Sequence, residues 1–129
     1  TEGLRLAEST AFVVDELRDR YDAGMGVFDP EGEPKLARNA LANAFEPVQA
    51  ILHSPTPGGE SDVVVVNDTP DTVRGILSYE GTDEPGEIQI SVEGTNQSKV
   101  ETINIPSDTD SINLTLSLSD RSIQNEYRL

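Results

Sequence analysis

Carboxylates are the most abundant chemistry in this chain, and one loop pairing is Asp108 and Asp110 on either side of Thr109. Two acids so placed offer hard oxygen ligands to Ca2+, with Asp120 or Asp83 as further donors once the chain folds back. Calcium wants about six to eight oxygens, and acid pairs in loops are also expected from an acidic composition alone. The same carboxyls, held about 5 to 10 Å apart in a cleft, would be the acid and base of glycoside hydrolysis. That reading lacks a Trp platform for a sugar ring, because the chain contains no Trp. Asp29, Glu31 and Glu33 alternate as at the start of an EF-hand loop. Pro34, however, stands where that loop needs Gly, and Ala40 where it needs a bidentate Glu. The segment therefore reads as a solvated loop. His53 is the sole His and has no partner for a metal or a nucleophile, so its reading is a cap at a helix C-terminus. No phosphate-binding loop, G-x-S-x-G or H-E-x-x-H occurs. No catalytic residue emerges, and the expectation is a non-enzymatic protein without a resident cofactor beyond the Ca2+ candidate.

Three sequences fit the N-glycosylation pattern: Asn67-Asp68-Thr69, Asn96-Gln97-Ser98 and Asn113-Leu114-Thr115. Pro70 weakens the first, and the third falls inside an alternating strand pattern. Asn96, on an expected turn, is the candidate acceptor, and its modification would imply export.

Two halves must position these groups. From Gly3 to Asp22, Leu4, Ala7, Ala11, Val14, Leu17 and Tyr21 recur at helical spacing, which predicts an amphipathic helix of about five turns. A second helix is expected from Pro34 through Leu41, Ala44 and Phe45, kinked or broken at Glu46-Pro47 and continuing to Val48, Ile51 and Leu52. The Pro- and Gly-rich stretch after His53 can continue neither helix nor strand. Beyond it, Val63 to Val66 is an apolar run suited to a strand covered on both faces. Val73 to Glu80 is the next strand, where Gly75 suggests a bulge. Ile88, Ile90 and Val92, and later Ile112, Leu114, Leu116 and Leu118, then alternate with polar residues. A period of two marks strands with one buried face. Short turns make neighbours antiparallel, and about six such strands are most economically packed as two sheets. The expected class is α+β: two N-terminal helices over residues 1–53, a linker at 54–61 and a small antiparallel β-sandwich over 62–129.

Charge narrows the partners. A length of 129 residues suits one small domain with an attachment, and 24 acidic against 9 basic residues give a net charge of −15. Such a chain repels nucleic acid phosphates and anionic membranes. No apolar run approaches the roughly 18 residues of a membrane span, and the absence of Cys excludes disulfides and thiolate chemistry. The acids are dispersed, and Lys35 and Lys99 are the only lysines. This is the composition of proteins from salt-loving organisms, because molar salt screens self-repulsion beyond about 3 Å.

A helical segment followed by a Ser- and Thr-rich β-sandwich, in so acidic a chain, resembles the small accessory structural proteins of viruses of halophilic archaea, such as capsid decoration, turret and tail components. The resemblance covers architecture and composition and implies a virion component whose partners are itself and other structural proteins. The docking faces would be Leu4, Ala11, Val14 and Leu17 on one helix and Leu41, Ala44, Phe45 and Val48 on the other. The alternative is an exported cell-surface adhesion or ligand-binding module of a halophile, whose turns around Asp83, Asn96 and Asp108 hold a cation or glycan.

Overall fold

The computed structural model describes residues 6, 17–21, 24 and 26–129. The chain divides into two compact units, 1–46 and 47–129.

The larger unit contains seven strands: β1 (Val48–His53), β2 (Glu60–Asn67), β3 (Val73–Glu80), β4 (Gly86–Val92), β5 (Asn96–Asn104), β6 (Ser111–Ser117) and β7 (Ser122–Arg128). They form two antiparallel sheets, ordered β1-β2-β5 and β4-β3-β6-β7. Alternation decides which side chains fill the space between them. Ile112, Leu114 and Leu116 of β6 are buried while Asn113 and Ser117 are exposed. Val48, Ala50 and Leu52 of β1, Val63 and Val65 of β2, Leu77 of β3 and Ile103 of β5 complete the core. Each buried Val, Leu or Ile side chain contributes about 1.5–3 kcal/mol, and this is how a core without Trp holds. In β2, Val63, Val65 and Val66 are buried, as expected for a strand covered on both faces.

Three hairpins stay within a sheet, and the β2–β3, β4–β5 and β5–β6 connections cross between sheets. Antiparallel order then sorts the loops. Residues 54–59, 81–85 and 105–110 lie at one end of the sandwich, while 68–72, 93–95 and 118–121 lie at the other. Backbone bonds tie each end: Gly58 N donates to Ile105 O and Ile105 N to Gly59 O at the first, both 2.9 Å, and Thr95 N donates to Thr69 O at the second, 2.8 Å.

Several expectations are corrected. Val48–His53 is a strand, not the tail of a helix, so the sandwich has seven strands rather than six and begins before the Pro- and Gly-rich stretch. That stretch is the β1–β2 hairpin loop, and β2 already starts at Glu60. Val48, Ile51 and Leu52 also satisfy helical spacing, and a short apolar run cannot separate the two periods. Pairing with β2 decides it, in register from Val48 opposite Asn67 to His53 opposite Asp62. His53 accordingly ends a strand rather than a helix. Gly75 is not a bulge: β3 pairs with β4 without a shift, and a Cβ at Gly75 would lie 2.4 Å from Ser117 O. The irregularity lies between β2 and β5, where Val63 opposes Glu101 and Val64 opposes Lys99, leaving Val100 as the extra residue.

Among the described residues of the smaller unit Leu6 is helical, and the helix with described bounds is α1 (Leu36–Ala44), with Lys35 as N-cap. Pro34 therefore precedes the helix rather than opening it, and Pro47 follows its end at the distance where Pro prevents continuation. The expected first helix falls almost wholly outside the described residues. Within its span, residues 17–21 are not helical: Arg18 bridges Phe28 in parallel, and Phe28 bridges Pro34. Leu17 O accepts from Val27 N and Phe28 N, each at 3.0 Å. Asp19 fastens this knot, its Oδ1 accepting from Gly26 N (2.5 Å) and its Oδ2 from Lys35 Nζ (2.9 Å). Asp29, from the EF-hand-like stretch, accepts from Glu33 N through Oδ1 at 2.7 Å and from Gly32 N through its carbonyl. It closes a turn.

Candidate functional site

The loops at residues 54–59, 81–85 and 105–110 form the candidate binding end. One depression there, of about 430 Å³, is lined by Gly58, Gly59, Asp83, Asn104, Ile105, Pro106, Ser107 and Asp108. A second of similar size is lined by Tyr79, Asp83, Glu84, Glu101, Thr102, Ile103 and Asn104. Asp83 and Asn104 line both. The fold thus brings Asp83 and Asp108 to one depression from loops 25 positions apart in sequence numbering (108 minus 83). Asp110 lines neither, and its carbonyl accepts from Leu129 N at 3.1 Å. Asp120 is at the opposite end of the sandwich, so it cannot join Asp83 and Asp108. Among the described residues no three His, Cys, Asp or Glu side chains converge as a metal site. Asp83 and Asp108 would therefore supply two of the six to eight oxygens, about, that calcium prefers.

At the other end, the chain has buried an amide instead. Asn67 is fully buried. Its Nδ2 donates to Asp71 O (2.8 Å), Val92 O (3.1 Å) and Glu93 O (3.0 Å). Its Oδ1 accepts from Thr69 N (3.0 Å) and Thr69 Oγ1 (2.6 Å). One side chain thus joins the β2–β3 loop to the end of β4. This engagement removes Asn67 as a glycan acceptor, whereas Asn96 is exposed at the start of β5, with its Oδ1 accepting from Gln97 N (2.8 Å). Asn113 is exposed but lies within β6.

Of the expected docking residues, Leu4, Ala11 and Val14 lie outside the described residues. Leu17 is 66% exposed and Phe45 45% exposed, with Leu41 and Ala44 half-buried. Val48 does not belong with them, since it is fully buried in the sandwich core. Sequence reasoning missed Leu36, the most exposed apolar side chain of α1 at 91%. No residue of α1 is buried.

Among the described residues two carboxyls are shifted, both downwards. The Lys35 ammonium bonded to Asp19 holds its pKa below the ordinary 3.8, assisted by Gly26 N–H. The Lys99 ammonium does the same for Asp62, assisted by Thr102 Oγ1–H. A general acid working near neutrality needs the opposite shift, so these two act as pins.

Seven antiparallel strands with β1-β2-β5 facing β4-β3-β6-β7 define an immunoglobulin-like Greek-key sandwich, with the fourth strand on the sheet of the third, sixth and seventh. Neither a scan against protein-family models nor a search of curated proteins finds a match. Among solved structures the chain is similar to part of a beta-D-mannosidase from Dictyoglomus thermophilum. The TM-score is 0.68 at 19% identity, covering 88% of this chain and 15% of that one. The likeness is one of fold.

Proposed function

We propose that this chain is a non-enzymatic structural module that works within an assembly at high salt, foremost as a capsid decoration, turret or tail component of a halophilic archaeal virus. The observation that carries the reading is the smaller unit's apolar exposure, at Leu17, Leu36 and Phe45. Large apolar side chains gathered in water after folding mark a surface that closes on a partner, and these three belong to one small unit. The dispersed acids keep such a part soluble in molar salt, and the sandwich projects its loops. Light scattering in molar KCl tests this: an oligomer is expected, lowered in mass by Phe45→Asp or Leu17→Asp with the β signal in circular dichroism retained. A wild-type monomer, or variants that assemble unchanged, would sink it.

A second reading, an exported adhesion module, is favoured by Asp83 and Asp108 lining one depression. It predicts that millimolar Ca2+ raises the melting temperature more than NaCl of equal ionic strength does. An equal rise would dismiss it.

A further inference from the structure

An exposed sheet edge is a template for another strand unless it is blunted, and this sandwich has four edges: β1, β5, β4 and β7. The β1 and β7 edges are closed against each other by side chains. Asn125 Nδ2 donates to Ala50 O (2.8 Å) and to the buried Gln49 Oε1 (2.7 Å), and Tyr127 Oη accepts from Leu52 N (3.1 Å). The Ala50 carbonyl and the Leu52 N–H on this edge of β1 are thus answered by β7 from the other sheet. The β5 edge is interrupted by the extra residue Val100 and carries Lys99, bound to Asp62 at 2.7 Å. Bulges and lysines are common means of blunting an edge.

The fourth edge, β4, has none of these devices. It pairs with β3 in unbroken register from Gly86 opposite Tyr79 to Val92 opposite Val73. It contains no Pro, Lys or Arg, and Glu87 is its only charge. Glu87, Gln89 and Ser91 are exposed. The strand is also symmetric about its middle residue. An antiparallel copy centred on Gln89 sets Gln89 opposite Gln89, Glu87 opposite Ser91, Ile88 opposite Ile90 and Gly86 opposite Val92. Polar residues meet polar ones, apolar meet apolar, and no like charges are opposed. That matches the cross-strand pairing that stabilises a sheet.

We propose that β4 is a self-association edge: two copies of the chain join their four-stranded sheets antiparallel through β4, about a two-fold axis at Gln89. The contact is isologous and closed. It rests on the assembly reading above and names one of its surfaces.

The chain has no Cys, which makes the register directly testable by cross-linking. Residues directly opposite in an antiparallel pair lie about 4.5–5.5 Å apart, within disulfide reach. Under mild oxidation in molar KCl, Gln89→Cys should form a covalent dimer by itself. Glu87→Cys and Ser91→Cys should each remain largely monomeric alone and cross-link when mixed. Equal cross-linking at all three positions, or none at Gln89, overturns the inference. Wild-type mass in the same buffer separates the two levels. An oligomer lacking this register-specific pattern removes β4 as the contact and leaves the assembly reading standing, whereas a monomer removes both. As a second measurement without cysteine chemistry, Gln89→Glu opposes two like charges at the axis and should weaken dimerisation about tenfold in moderate salt. An unchanged mass-versus-concentration curve would count against the pairing.

Discussion

The two ends of the sandwich each gather three loops and put them to different use. At the end holding 68–72 and 93–95, Asn67 turns its side chain inward and spends both polar atoms on the β2–β3 loop and the end of β4. At the end holding 54–59, 81–85 and 105–110, backbone groups join the loops, with Thr109 Oγ1 adding a bond to Gly81 O (3.1 Å). Asp83 and Asp108 are thereby left at the surface. A buried amide fixes one geometry because its alternatives are costly. Surface carboxylates on a backbone-tied frame can change without cost to the fold. One end therefore defines the domain, and the other is available to a ligand.

Asn67→Asp should break this contrast most severely. One carboxylate oxygen would keep the two Thr69 donors, but the other would replace the amide nitrogen and face three carbonyls as a buried charge, and the expected loss is about 4 kcal/mol at neutral pH, measured by urea unfolding. The deficit should shrink in acid, where the protonated group can again donate. A loss below about 1 kcal/mol would place Asn67 among ordinary surface polar residues.

Asn125→Ala probes the polar closure between β1 and β7. It removes a donor from Ala50 O and from Gln49 Oε1, and the expected cost is about 2 kcal/mol. Hydrogen exchange should then rise first along β1.

Acid should loosen both units through their pins. The carboxyls of Asp19 and Asp62 have lowered pKa values, so their contribution is complete above the ordinary 3.8 and is lost as pH falls below it through the lowered folded values. Lys35→Met and Lys99→Met should each flatten the fall in melting temperature over that range. A fall unchanged in both variants would assign acid sensitivity to other carboxyls.

The smallest effect is expected at the open end. Asp83→Asn and Asp108→Asn should each change stability by less than about 0.5 kcal/mol, while removing any stabilisation that Ca2+ confers. A cost comparable to that of Asn125→Ala would mean that this end, too, is structural.

Much of the sandwich was legible because alternation is a local signal. Ile112, Leu114 and Leu116, or Ile88, Ile90 and Val92, can keep one side dry only as strands. Val48–His53 was not legible, since Val48, Ile51 and Leu52 fit a helix as well as a strand and only pairing with β2 separates the two. The candidate site was legible by residue type but not by membership. Asp108 and Asp110 are neighbours in sequence, yet Asp83 is the acid that shares a depression with Asp108. Asn67 looked like a glycosylation pattern, and nothing local marks it as a buried anchor.

By itself, then, the sequence determined the strands with one wet face, the breaks between them, the absence of cysteine chemistry and a strongly negative net charge. These follow from residue type and short-range period. Tertiary structure decided the rest: which strands are neighbours, which edges are covered, where Asn67 is buried and which carboxylates meet. Each of these depends on pairs of residues far apart in the chain, whose encounter is set by sheet order and register rather than by any window of sequence.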